Sequence, residues 1–187
     1  MLNRIFTITL FLAFFASMTS LSAQDSSPNR EVGLQFNGLN FDGFNGFSLF
    51  YKKQKSENVY RRIRFFYGNL NVEAINDISA VSFSSGIAIG REKRKALDAK
   101  LAFYQGPEFS AALGVTTQNW DNTSINVSGR FGWILGLQHS FNERWAINLE
   151  TIPGVGIGVN SITDSDPRFT FNAGISNSVS LGLVRKF

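Results

Sequence analysis

Residues Phe169–Phe187, FTFNAGISNSVSLGLVRKF, alternate in character from end to end. Phe169, Phe171, Ala173, Ile175, Val179, Leu181, Leu183 and Phe187 share one parity, interrupted by Asn177 and Arg185. The other parity is mostly small or polar: Thr170, Asn172, Gly174, Ser176, Ser178, Ser180, Gly182 and Lys186. A period of two held over about twice the usual strand length predicts one long strand with a greasy face and a wet face. Such a strand needs an apolar solvent on one side and a polar compartment on the other. The wall of a membrane β-barrel meets that condition.

The same alternation recurs upstream. Val32, Leu34 and Phe36 alternate with Glu31, Gly33 and Gln35, and Phe47, Leu49 and Tyr51 with Ser48, Phe50 and Lys52. Ile63, Phe65 and Tyr67 oppose Arg62, Arg64 and Phe66; Val81, Phe83, Ile87 and Ile89 oppose serines and glycines. A fifth strand is expected from Ala99 to about Leu113, with Pro107 marking a kink or an unpaired position. A sixth carries Val127, Phe131, Trp133, Leu135, Leu137 and Phe141 outward, and a seventh Trp145, Ile147, Leu149, Val155, Ile157 and Val159. Between them, Lys53–Asn58, Arg91–Asp98 and Asn142–Arg144 are expected as charged turns, and Asn69–Ile78, Thr116–Ile125 and Asn160–Pro167 as polar loops. The fold expected is all-β: an eight-stranded antiparallel up-and-down transmembrane barrel.

Residues 1–23 have the layout of a secretory signal peptide: Arg4, an apolar run from Ile5 to Ala16, and small residues up to Ala23, where cleavage is expected. Residues 24–187 then form one barrel domain. The sequence contains no cysteine, so neither disulfides nor thiolate metal sites can hold it together. A closed ring of paired backbone groups is a framework that needs neither.

Charge divides the connections. The first, third, fifth and seventh hold Asp42, Glu73, Asp77, Asp121, Asp164 and Asp166, while the even ones hold Lys53, Lys55, Arg91, Lys93, Arg94, Lys95 and Arg144. With both termini in the periplasm, the acidic tips Asp42, Asp77, Asp121, Asp164 and Asp166 face outside, and the basic rim meets anionic lipid heads. Crossing the apolar band takes roughly 10 residues of a tilted strand. Counting back from Phe187 places Asn177 near the outer interface, with Phe169, Phe171 and Ile175 beyond it.

The leader, the alternation and the ending SLGLVRKF resemble the small eight-stranded outer-membrane barrels of Gram-negative bacteria. The resemblance covers the whole mature chain. It implies that Val179, Leu181, Leu183 and the terminal Phe187 serve as the signal read by the outer-membrane insertion machinery. Arg185 departs from the family pattern, which is usually apolar there; its stem can snorkel at the rim.

Inward parity collects the charges Glu31, Lys52, Arg62, Arg64, Lys100, Glu108, Arg130 and Glu150. Eight strands leave room for little besides side chains, and charges there must pair or stay hydrated. A salt-bridged plug is preferred over a narrow anion-preferring channel, which the excess of cations in that set would suit. His139 is the one histidine. It has outward parity and neighbouring Ser140 the opposite, which does not suit a Ser–His catalytic pair. Gly154-Val-Gly-Ile-Gly158 lacks the residues that complete a phosphate loop. The reading is a monomeric, non-enzymatic outer-membrane barrel with no cofactor or metal and no nucleic-acid partner. Its expected role is structural, adhesive or surface-binding, its neighbours are lipids and lipopolysaccharide, and its exposed sheet edge suits a protein partner joining by strand addition. The alternatives are a passive pore, a lipid-modifying enzyme and a secretion accessory.

Overall fold

The computed structural model describes residues 29–37, 46–75, 78–118, 122–163, 166–175 and 179–187, with the backbone alone for 67–75, 78–79 and 174–175. Ten strand segments follow one another: β1 (Arg30–Asn37), β2 (Gly46–Ser56), β3 (Val59–Ile75), β4 (Ile78–Ala96), β5 (Leu101–Gln118), β6 (Asn122–Ser140), β7 (Trp145–Thr151), β8 (Pro153–Ile162), β9 (Arg168–Ile175) and β10 (Ser180–Lys186). All pairings are antiparallel, and β1 closes the ring against β10, from Glu31↔Lys186 to Phe36↔Leu181.

Ten segments make eight staves. Both β7 and β8 pair with β6 in one register, Leu135↔Thr151 below and Gly132↔Gly154 above, with only Ile152 between them. Pro153 has no N–H and restricts the residue before it, which accounts for the break. Segments β9 and β10 share the last stave, pairing with β8 and β7 respectively. The result is the closed, eight-stranded antiparallel barrel that the alternation predicts, with no helix among the described residues.

The final stretch is not one uninterrupted strand. Ile175 faces Pro153 and Ser180 faces Glu150, so four residues, 176–179, stand against two, 151 and 152. An even excess leaves the parity of both flanks unchanged, which is why the sequence reads as a single alternation.

Several expected loops are strand. Asn69–Ile75 pairs with Ile78–Ser84, β5 runs to Gln118, and β6 starts at Asn122. Asparagines and other loop-forming residues there suggest loops, while the backbone ladder continues. Two expected turns are also shorter. Segment β2 reaches Ser56 and turns at Glu57 and Asn58. Segment β4 continues to Ala96, and the turn is built by Asp98, whose carboxylate accepts from the backbone N–H groups of Lys100 and Leu101, each at 2.6 Å.

Opposite Pro107 the ladder is interrupted: Gly90↔Glu108 and Lys93↔Gln105 are paired, with Arg91 and Glu92 between. A Cβ on Gly106 would collide with the Arg91 carbonyl oxygen, so only glycine fits this approach.

Stepping across pairs from Leu183 through Leu34, Leu49, Phe65, Ile87, Ala111 and Gly129 leads to Ile157. Leu183 also pairs directly with Ile147, ten residues earlier on the same stave. That stagger tilts eight strands about 40° from the axis.

Candidate functional site

Most of the large side chains buried in the interior are polar or charged, beside a small apolar cluster of Phe50, Ala146 and Val184. Arg62, Lys52, Glu31, Glu92, Glu108 and Glu150 are all 2% exposed or less. Register brings Lys52 beside Arg62 and, across Gly90, Arg62 near Glu108. Two neighbouring cations on one face repel, so carboxylates must reach them from elsewhere on the ring.

Arg62 is the hub. Its Nη1 and Nη2 donate to Glu150 at 2.6 and 2.9 Å, its Nε lies 3.0 Å from Glu108, and Nη1 is 3.8 Å from Glu92. Glu108 also takes Arg64. Glu92 holds the Lys52 ammonium at 2.9 Å and pairs with Arg94, which forks onto Glu31 through two 2.7 Å bonds. Neutral donors complete the carboxylates: the Tyr104 hydroxyl at 2.9 Å and the Gln35 amide at 3.1 Å donate to Glu150. Asn148 donates to the Tyr104 hydroxyl at 3.1 Å. Arg94 stacks 3.7 Å from the Tyr60 ring centroid, and the Lys52 ammonium lies 4.6 Å from that of Tyr104.

Glycines make room for the rings. Gly33 faces Phe50, Gly86 faces Phe66 and Gly136 faces Tyr104 across neighbouring strands. A Cβ on any of the three would enter the ring opposite. The Tyr104 ring can therefore lie flat over Gly136, with its hydroxyl aimed at Glu150.

The outer face is the converse. Val32, Tyr51, Ile63, Ile89, Phe109, Phe131, Val155 and Ala173 oppose one another in turn and make an apolar row across all eight staves. Phe109 is 64% exposed, and its ring centroid lies 4.8 Å from that of Phe131.

The solved structures this chain resembles are outer-membrane and surface proteins. A major outer membrane protein from Thermus thermophilus is 12% identical, with a TM-score of 0.49 over 87% of this chain and 100% of that one. Neisserial surface protein A is 14% identical, with a TM-score of 0.49 over 87% and 98%. Ail, the attachment invasion locus protein of Yersinia pestis, is 13% identical, with a TM-score of 0.47 over 84% and 96%. No family model and no curated protein matches the sequence.

Of the eight charges expected in the lumen, the structure joins six: Glu31, Lys52, Arg62, Arg64, Glu108 and Glu150. Lys100 is exposed in the turn after β4 and lies outside the network. Arg130 is half-buried and donates to the Ile152 carbonyl at 2.8 Å, capping the break between β7 and β8 outside the network. Two further members, Glu92 and Arg94, lie in the run Arg91–Lys95, which reads as a turn in the sequence. As strand, its parity sends Glu92 and Arg94 inward and Arg91, Lys93 and Lys95 outward. The signal that could have found them is the parity set by Ile87 and Ile89, if it is extended through the charged run to Lys95. The corrected network holds four cations and four carboxylates, so the expected cation excess disappears.

His139 faces outward, with its ring edge against Phe141 at 5.7 Å, while Ser140 accepts from the Lys186 ammonium at 2.7 Å on the other face. In the terminal segment Val179 and Leu183 are exposed and Leu181 and Phe187 half-buried. Of the acidic tips, Asp166 is exposed; Asp42, Asp77, Asp121 and Asp164 lie outside the described residues.

Proposed function

We propose that this chain is an integral outer-membrane barrel that is sealed rather than conducting, with a structural and surface-binding role. One observation carries the reading: a buried, charge-balanced ion network closes the inside of a ring whose outside is crossed on every stave by an apolar row. Side chains fill the lumen and leave the apolar face for lipid. Paired charges offer no site to a passing ion without breaking a contact. Planar-bilayer recording tests this: purified protein is expected to give no steady unitary conductance, and a reproducible open level would overturn the sealed reading. Heat-modifiable gel migration reports, independently, whether a barrel has formed.

Residues 1–23 act as the leader, and sequencing of the exported protein is expected to begin at Gln24. The outward alternation of Val179, Leu181, Leu183 and Phe187 is offered to the insertion machinery, so removing Phe187 should lower the yield of assembled barrel. The protein works as a monomer without a cofactor.

A specific observation favours a binding role for the upper sheet. Among the described residues β9 pairs only with β8, and its Phe169 and Phe171 are 83% and 71% exposed. We read the second edge of β9 as available, and an edge flanked by exposed rings suits a protein partner adding a strand. Replacing Asn172 by Pro on that edge is expected to abolish partner capture while the barrel still shows heat-modifiable migration.

A further inference from the structure

The barrel rim that bears the termini and short turns has two unlike walls. Counting outward-facing positions inward from the rim, β4 presents Lys95, Lys93 and Arg91, all exposed. At the same positions β7 presents Trp145, Ile147 and Leu149, and β6 presents His139, Leu137 and Leu135. The β4 cations extend a row across neighbouring strands: Arg30 opposes Lys53, Lys53 opposes Arg61, and Arg61 opposes Arg91. Directly opposed residues share a face, so these four cations stand side by side on the outer surface of four adjacent staves, about 5 Å from strand to strand.

Like charges directly opposed destabilise a sheet, and this row is not relieved from within. Among the described residues none of the four has an ion-pair partner; every carboxylate that forms an ion pair lies in the lumen. Among the described residues, the acidic side chains near this rim are Glu57, Asp98 and Glu143, all exposed in the turns beyond the strand ends. Arg185 differs: it lies between the rings of Trp145 and Phe187, at 5.1 and 5.5 Å. Immediately above the row sit Tyr51, Ile63 and Ile89, each between 38% and 47% exposed. The wall therefore changes from cationic to apolar within one outward-facing residue on three adjacent strands.

We infer that Arg30, Lys53, Arg61 and Arg91, extended by Lys93 and Lys95, form a binding face for the phosphodiester headgroups of anionic phospholipids, in the leaflet adjoining the short turns. Each phosphate is held between cations of neighbouring strands, and the acyl chains lie on Tyr51, Ile63 and Ile89. The lipid supplies the counter-charge that the sheet lacks, and its amphipathic boundary matches that of the wall. The lipid is retained on the β1–β4 side, while the β6–β7 side is open to any phospholipid.

This inference rests on the membrane reading above, and the experiment separates the two. Full-length mature protein is reconstituted into vesicles of phosphatidylcholine alone, and the insertion of wild type and of Lys53→Gln/Arg61→Gln/Arg91→Gln is scored by carbonate resistance and heat-modifiable migration. Both proteins are expected to insert. Failure of both would overturn the membrane reading and the lipid face together. Binding of tail-labelled phosphatidylglycerol and phosphatidylcholine is then measured in neutral detergent. Wild type is expected to prefer phosphatidylglycerol by about tenfold or more, a preference the triple variant loses and about 1 M salt suppresses. Inorganic phosphate is expected not to compete at matched concentration. Equal binding of the two lipids by wild type, an undiminished preference in the triple variant, or equal competition by inorganic phosphate overturns the lipid face and leaves the barrel reading standing.

Discussion

The lumen and the outer rim use the same side chains for opposite ends. Lys52 and Arg62 face inward one residue from Lys53 and Arg61, which face outward at the neighbouring positions of the same two strands. Inside, each cation is buried and matched by Glu92, Glu150 or Glu108. Outside, the cations are exposed and meet only one another. A cation in the lumen must find its carboxylate within the chain, because a lone buried charge is prohibitive. A cation on the rim can leave its partner to the surroundings. Parity along one strand decides which rule applies.

The contrast can be broken most severely from inside. Arg62→Met removes the hub, leaving Glu150 without its guanidinium and Glu108 with Arg64 alone, at a cost of about 3–5 kcal/mol. Urea unfolding in neutral vesicles reads this, and little change would show that the network is hydrated and loosely coupled. The double change Arg62→Met/Glu150→Gln should cost less than the two single changes summed, since each single change leaves the other charge unpaired.

Adding bulk where a ring lies flat comes next. Gly136→Val drives a side chain into Tyr104 and is expected to cost about 1–3 kcal/mol. Tyr104→Phe keeps the packing but removes the hydroxyl between Asn148 and Glu150, for about 1–2 kcal/mol by the same assay.

The rim should respond far less. Lys53→Gln/Arg61→Gln is expected to leave unfolding in neutral detergent unchanged or slightly stabilised, because two opposed like charges disappear. A loss comparable to that of Arg62→Met would mean that the two regions are not distinct. The smallest effect concerns Asp98. Backbone N–H groups of Lys100 and Leu101 hold its carboxyl below the usual carboxylate range. A lowered carboxyl stabilises the fold above the ordinary carboxylate pKa of about 4 and loses that contribution as the pH falls through the lowered value. Wild type should therefore lose slightly more stability than Asp98→Asn on acidification through that range, as seen by comparing their thermal midpoints.

Much of this architecture is legible from alternation alone, because a period of two assigns faces without knowledge of neighbours. Lys52, Arg62, Glu108 and Glu150 read as inward from the parity of Tyr51, Ile63, Phe109 and Leu149. Which charges meet cannot be read the same way. Arg62 reaches Glu150 through the stagger of ten residues around the ring, a property of closure that no local window contains. Arg91–Lys95 reads as a solvated turn because five consecutive charged residues look like one. Extending the parity of Ile87 and Ile89 places Glu92 and Arg94 inside, and the buried partners Glu31 and Lys52 account for their charge there. Asn69–Ile75 reads as loop for a different reason: Asn69, Asn71 and Glu73 are loop-forming types, and they outweigh the short alternation of Leu70, Val72 and Ala74 that the pairing with β4 makes visible.

The two surplus residues between β9 and β10 bear on how such a chain can change length. Because β9 and β10 hold separate registers on either side of 176–179, this joint is where the stave can absorb insertions or deletions. Only changes in steps of two are neutral. Adding one residue would turn Phe169 and Phe171 into the interior and Thr170 and Asn172 outward, while leaving the closing seam of β10 with β1 intact. Length variants of this barrel should therefore be tolerated in even numbers at this joint and rejected in odd ones.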